Sequence, residues 1–486
     1  MTALRPAEGS DPADLGVHAP SGLGLAQGIA LYLASVLGTG LLVLPGLAAK
    51  TAGPASLIAV GVITLLAVPL AGAFAALAAR HPDPGGVASY ARRALGPTAA
   101  RATGYWFLFG VAAGGPVVSV LGARYIATAV GIDGAGVPWL ALGFLVVPFV
   151  ANLFGVRLTG WLQLVLTGLL LAIVVVVVAV AAPAVRPESF TPFLPHGWGG
   201  VGTAIVMFVW AFAGWEVGTH ISGEFARPRR TIPLATAITL VLAGGCYLAL
   251  QVVTVGALGE RAGHGDVVLL DLAEAGGVRA APTLIGVVSA VVALGVLNVY
   301  LAAFGKLGAS LASNGDLPRW FAKGAESGAV PQRALMLSMV LVLAYFAVSW
   351  ATGFDLQPFI LIHTASMVAV YVVGMIAAIR ILPRRTPGWW MAVIASVCTV
   401  GLLLLAGAAL VVPAAVAVIA LAVTAVRRAR ERRRGAPENQ GAWPFLALHF
   451  QTVPGPRVVR PITRPASAAP STGSSKVHAA EQADLN

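Results

Sequence analysis

Hydrophobic residues in this chain come in long unbroken runs, not at the 3.6-residue spacing of a helix with one wet face. A helix needs about 20 consecutive apolar residues to cross the hydrocarbon core of a bilayer. Runs of that length recur from Leu23 onward. They predict about twelve spanning helices, at roughly 23–48, 54–79, 102–131, 137–154, 160–182, 200–222, 234–257, 282–311, 334–352, 356–379, 389–408 and 410–426. Residues 1–20 are polar, carry Glu8, Asp11 and Asp14, and lack the apolar core of a signal peptide, so they read as a disordered cytoplasmic tail. Residues 428–486 are rich in Pro, Ala, Ser and Arg without apolar periodicity. They read as a disordered basic cytoplasmic tail whose first residues rest on anionic lipid.

Composition agrees with an all-α integral membrane protein: 58% of the 486 residues are hydrophobic and 10% are charged. A net charge of +12 would suit a nucleic-acid binder, but the positions of the charges decide otherwise. With a cytoplasmic N-terminus, the inside loops collect Arg80, Arg92, Arg93, Arg101, Arg157, Arg227, Arg229, Arg230, Lys306, Arg319, Lys323, Arg333, Arg380, Arg384 and Arg385, followed by the run VRRARERRR. The outside loops hold only Lys50, Arg186, Arg261 and Arg279. That asymmetry is the positive-inside signal of a multi-pass protein in a cell membrane, both termini cytoplasmic, and it excludes nucleic acid as the partner. The two cysteines, Cys246 and Cys398, each lie inside an apolar run, which argues against a disulfide framework.

Two runs carry their own interruptions. In the first, Gly38-Thr39-Gly40 sits near mid-span, where each glycine costs a helix about 1 kcal/mol. Pro45 follows at a position expected in the first turn of a restarted helix; close packing through small residues is the alternative. In the sixth, Ala213-Gly214 precedes Glu216. Five spans separate the two, so they run in opposite directions. The pattern predicts a five-plus-five inverted repeat, residues 21–183 and 200–380, forming a ten-helix core of 21–380 with two further helices in 388–427. A half-helix starting after Gly40 offers free N–H groups and a positive dipole end at mid-membrane, which favour a carboxylate. The end of the helix before Gly214 leaves free carbonyls at the same depth, suited to an ammonium. Together they describe a site for an α-amino acid.

A carboxylate near the bilayer centre costs about 2.5–3.5 kcal/mol on insertion scales, so Glu216 is a functional candidate. His220 and Glu224 follow at four-residue steps, on one face if the helix continues. Two readings stay open. The three residues form a proton path, or Glu216 fixes the break while Glu224 ties down Arg229 or Arg230. His363 and Asn298 are candidates for the cavity wall, against the ordinary reading of interhelical hydrogen bonds. Arg124 reads as a snorkelling side chain. With Phe208, Trp210, Phe212 and Trp215 nearby and no second charge, the site suits neutral aliphatic or thioether side chains. The loop DVVLLDLAEAGG reads as a short amphipathic surface helix. An enzyme is not indicated: HExxH, GxSxG, Cys/His metal spacing and a Walker loop are all absent from the sequence, and no metal or cofactor is expected.

The segments GTGLLVLPG, PGGVASYARRALGP, FAGWE…SGEFARPRRTIP and LNVYLAAFGKLGASLASNGDLPRWFA resemble the amino acid–polyamine–organocation transporter superfamily. The likeness runs from about Leu23 through the tenth span. The order FAGxE, His, GEF-x-x-P-x-R is most like its bacterial branch that exports methionine and branched-chain amino acids. The resemblance implies the LeuT-like five-plus-five fold with discontinuous helices 1 and 6, working by alternating access. It places the substrate carboxylate on the backbone of Gly38, Thr39 and Gly40. The amine goes to carbonyls near Leu37, Trp210 and Ala213, at the Gly214 break. Trp210 matches an aromatic gate and Glu216 a carboxylate of protonation-linked transport. Two departures stand out. Leu170 occupies the position where some relatives carry a lysine, and Ala302 and Ala303 replace the hydroxyls of sodium-coupled relatives. The expectation is therefore a proton-coupled exporter of neutral amino acids, with an uptake permease or exchanger as the alternative and a channel or membrane enzyme as the remoter one. A homodimer is left open.

Overall fold

The first apolar run does not form one helix. The computed structural model describes residues 23–82, 85–155, 160–220, 222, 225–265, 267–278, 282–325 and 329–433. In it α1 (Leu25–Leu37) stops at Gly38, whose φ of 21° and ψ of −136° leave the helical region, and α2 (Gly40–Ala52) begins after Thr39. Pro45 is the sixth residue of α2, past the first turn where it was expected, so the carbonyl four residues before it lacks its helical donor.

α3 (Ser56–Arg80) leads to the amphipathic α4 (Gly86–Leu95) and to α5 (Pro97–Tyr105). Gly96 at φ 92° followed by Pro97 marks the sharp stop and restart between those two. Next come α6 (Gly114–Val130), α7 (Val137–Leu153), α8 (Gly160–Ala181) and α9 (Gly197–Val209). The four-residue α10 (Val217–His220) precedes α11 (Pro228–Val253) and α12 (Val268–Ala275). The chain then runs through α13 (Pro282–Ser313), α14 (Gln332–Ala351), α15 (Gln357–Ile381), α16 (Pro387–Leu405) and α17 (Val411–Arg433). Among the described residues the only extended pairing is a bridge between Leu23 and Phe225.

Ten helical stretches among the described residues are long and apolar enough to cross a membrane. The first of them, Leu25–Arg80, contains α1, α2 and α3, and α9 is a shorter apolar helix. The protein is thus an all-helical, multi-pass membrane protein. Its interior is built by α6 against α13 and by α3 against α11.

The third apolar run, expected as one helix, is also interrupted. Between α5 and α6 lie a π turn, Trp106–Gly110, and a 3-10 turn, Val111–Ala113. The local sequence GVAAGGP explains this. Three glycines weaken the helix, and Pro116 cannot donate to the carbonyl of Ala112.

α12 differs from the expected surface helix. Val268, Leu269, Leu270, Leu272 and Ala273 are all buried, and the helix packs against α2, α8 and α13. Its apolar face is wide enough to be inserted between other helices rather than laid upon them. At its start, Tyr125 donates from its hydroxyl to the Leu42 carbonyl (2.8 Å) and accepts from the Leu269 N–H (3.2 Å). One side chain of α6 therefore joins α2 to α12.

A buried carboxylate gathers the opposite end of the bundle. Asp316, in the loop after α13, meets Arg92 of α4 at 2.8 Å, Arg101 of α5 at 2.7 Å and Arg427 of α17 at 3.2 Å. Arg101 also donates to Thr424 of α17, and Tyr105 donates to the Asp316 carbonyl. α17 continues to Arg433, beyond the expected end near 427. The run of arginines and a glutamate there consists of good helix formers.

Candidate functional site

The two breaks face each other. α2 packs on α9 and α10 packs on α1, so the first and sixth broken helices run antiparallel. The sixth is open over a longer stretch than the Ala213-Gly214 step alone, from Trp210 to Glu216. Gly214 has φ 126°, and a Cβ on it would lie 2.8 Å from the carbonyl oxygen of Ser35. Both the backbone conformation and the close approach demand glycine there. At the far ends, Leu23 and Phe225 form the backbone bridge, with the Ala226 N–H donating to the Leu23 carbonyl at 3.3 Å.

Beside the breaks lies a cavity with about 570 Å³ of empty space, open solvent included. Gly38, Thr39 and Gly40 form part of its wall, with Ser35 and Val36 from the end of α1. Gly114, Gly115 and Val118 of α6 face them. α13 contributes Val296, Leu297, Tyr300, Leu301 and Phe304, and Val111, Val342, Trp210 and His363 complete the lining. No charged side chain is among these residues. A second cavity of about 650 Å³, between α1, α8 and α13, shares Ser35, Val296 and Tyr300 with the first. Leu170 and Thr167 are in its wall, so the position compared with a lysine is an apolar lining residue.

The expected site residues divide. Gly38, Thr39, Gly40 and Trp210 are brought together on the cavity wall. Leu37, Ala213 and Gly214 are buried or packed behind it and do not line it. Two of the three carbonyls assigned to an amine already have donors. The Leu37 carbonyl accepts the Tyr247 hydroxyl at 3.2 Å, and the Trp210 carbonyl accepts the Ala213 N–H at 3.4 Å. Of the aromatic cluster, only Trp210 reaches the cavity. Phe208 and Phe212 pack on Tyr247, and Trp215 packs on Tyr32.

Glu216 is fully buried behind this wall. Its Oε2 accepts the Gly214 N–H at 3.0 Å and the Tyr371 hydroxyl at 2.8 Å, while Oε1 has no partner among the described residues. Of the expected face of Glu216, His220 and Glu224, the described residues show only its start. Glu216 sits in the turn before α10, and α10 ends at His220. The His220 side chain and Glu224 lie outside the described residues. Arg229 and Arg230 are exposed in the first turn of α11.

His363 does line the cavity. Its ring lies 4.3 Å from that of Trp210, centroid to centroid, and its Nδ1 is 2.9 Å from the Val111 carbonyl. Gly114 makes room for both rings, since a Cβ there would lie 2.7 Å from His363 Nδ1 and 2.9 Å from the Trp210 ring. Asn298 instead makes the interhelical bond, accepting from Asn152 at 2.7 Å. Arg124 donates to the Phe354 carbonyl at 3.3 Å. Sequence reasoning missed Tyr371, Tyr300 and the Gly114-Gly115 pair. The glycines in GVAAGGP were the one available signal; a tyrosine inside an apolar run carries none.

A polytopic helix bundle with a cavity set between two oppositely directed broken helices is the architecture of a membrane transporter. Residues 23–426 match the family model described as amino acid permease, and the chain belongs to that family, whose members have the LeuT-like fold and carry amino acids. Its relatives include the uncharacterised amino acid permease YecA of Bacillus subtilis, 30% identical over 80% of this chain and 92% of the relative. The L-methionine/branched-chain amino acid exporter YjeH of Escherichia coli is 30% identical over 75% of this chain and 87% of its own length. The branched-chain amino acid permease BcaP of Bacillus subtilis is 26% identical over 51% of this chain and 57% of its own length.

Proposed function

We propose that this permease carries neutral aliphatic and thioether amino acids through the cavity beside the two breaks. The observation that carries this reading is the cavity lining. It holds valine, leucine, phenylalanine and glycine, with no charged side chain to pair with a basic or acidic substrate group. The backbone of Gly38, Thr39 and Gly40 at the start of α2 receives the substrate carboxylate, as helix N-termini favour anions. Trp210 packs over the substrate. α1–α2 and α9–α10 serve as the first and sixth of twelve spans in a five-plus-five inverted repeat, with the last two helices added outside it.

Glu216 is the coupling residue in this account. A carboxyl group wholly buried, with one oxygen unpartnered, is a group whose protonation state matters to its surroundings. It sits at the hinge of the sixth helix, where uptake or loss of a proton changes what holds Gly214. His220, at the end of α10, is the second coupling candidate of this reading. Export of methionine and branched-chain amino acids across the cell membrane is the favoured direction, supported by the likeness to the YjeH exporter. Uptake on the same fold is the second reading, supported by the likeness to BcaP.

The selectivity is tested by counterflow of labelled leucine in vesicles holding the purified protein. Methionine, isoleucine and valine are expected to compete and lysine and glutamate to fail. Competition by lysine equal to that by methionine contradicts the neutral-substrate reading.

A further inference from the structure

We infer that His363 is a hydrogen-bond acceptor for the substrate's ammonium group. This deepens the proposed function, because it rests on the cavity being the amino-acid site.

An ammonium needs acceptors, and there is no carboxylate among the described residues that line the cavity. Three of the carbonyls at the two breaks already accept one hydrogen bond each, and each keeps one lone pair. Those of Val36 and Leu37 accept the Tyr247 hydroxyl, and that of Trp210 accepts a turn N–H. The Ser35 hydroxyl is directed to the Leu31 carbonyl at 2.8 Å. An ammonium has three N–H donors to satisfy, so a further neutral acceptor beside those carbonyls is favoured, because a buried donor left without a partner is costly.

His363 meets the requirement through its tautomer. Its Nδ1 lies 2.9 Å from the Val111 carbonyl, and a carbonyl can only accept, so Nδ1 carries the hydrogen. In the neutral ring Nε2 is then a lone-pair acceptor, and it has no protein partner among the described residues. The ring is held by contact with Trp210 at 4.3 Å and by the space that Gly114 leaves. The π and 3-10 turns in the third run thereby acquire a purpose. They place the Val111 carbonyl where it sets the tautomer of His363. The other polar or titratable groups on the cavity wall are Ser35, Thr39, Tyr300 and the Trp210 indole, none of them a base of comparable strength.

The test is equilibrium binding of labelled leucine to purified protein at one pH, without a gradient. His363→Leu is expected to weaken binding by about tenfold or more. His363→Gln, which keeps an acceptor, is expected to recover most of that loss. Equal weakening by both variants, or unchanged binding in His363→Leu, overturns the inference. A measurement on the unsubstituted protein guards against misfolded variants. With 15N-labelled histidine, the Nε2 resonance assigned to His363 is expected to move when leucine binds, and an unmoved resonance overturns the inference. Val296→Trp fills the cavity from α13 and separates the two levels of the argument. If it leaves leucine binding intact, the cavity reading itself is wrong. If it abolishes binding while His363→Leu does not, only the role of His363 falls.

Discussion

Tyr371 on α15 donates its hydroxyl to Oε2 of Glu216 across 2.8 Å, and the same oxygen takes the N–H of Gly214. The hinge of the sixth helix is therefore tied to a neighbouring helix through the one carboxylate buried beside it. α15 touches the open stretch at both ends, through His363 against Trp210 and through Tyr371 against Glu216. Tyr371 is held in turn by an edge-on contact with Phe74 of α3, centroids 5.7 Å apart.

That bond predicts coupled behaviour. Tyr371→Phe is expected to reduce the response of transport to a pH gradient while leaving leucine–leucine exchange largely intact. In a Glu216→Gln background the same change is expected to add little. A double-mutant cycle on gradient-driven flux is expected to give a coupling of about 0.5–3 kcal/mol, the range for residues in direct contact. Additive effects of the two substitutions contradict the pairing.

Asp316 predicts a stability effect far from the cavity. Its side chain is 1% exposed and meets three arginines, of which Arg101 is 4% exposed. Removing one partner of a buried ion pair strands the other, at a cost of about 3–5 kcal/mol. Asp316→Ala is expected to lower the thermal midpoint in detergent sharply. Arg92→Gln, at a side chain 33% exposed, is expected to do so only slightly.

Tyr125→Phe removes the donor to the Leu42 carbonyl and the acceptor for the Leu269 N–H. The Leu269 N–H, in the first turn of α12 and so without a helical acceptor, then loses that partner, at about 1–3 kcal/mol. Faster hydrogen exchange at the start of α12 is the expected sign. Unchanged exchange there contradicts the role assigned to this hydroxyl.

Gly214→Ala places a methyl group against the Ser35 backbone at a φ that side chains rarely adopt. Conformational strain alone is of order 1–3 kcal/mol. Transport is expected to be lost even where folded protein is recovered, as judged by gel filtration and thermal midpoint.

Much of this arrangement was legible in the sequence because its signals are local. Gly38 and Gly40 inside the first run locate its break, the small pair Ala213-Gly214 marks the neighbourhood of the second, and a lone carboxylate in an apolar run singles out Glu216. The sixth-helix opening extends back to Trp210, and Gly214 within it lies against the Ser35 backbone of another helix, a contact that the local sequence does not record. The face expected for Glu216, His220 and Glu224 presupposed a helix running through Glu216, which sits instead in the turn that precedes α10. Long-range partners leave no trace in a single chain. Tyr371 stands 155 residues from Glu216, and Arg92 stands 224 from Asp316. Asp316 looks like an ordinary loop carboxylate until the loop is folded onto α5 and α17.

The central claim is that an amino acid in the cavity and a proton on Glu216 are handled by one hinge. Flux of labelled leucine from vesicles, with and without an imposed pH gradient, tests it most directly. The unsubstituted protein is expected to answer the gradient, and Glu216→Gln to exchange leucine for leucine while ignoring it. A Glu216→Gln protein that follows the gradient as fully as the original contradicts the account.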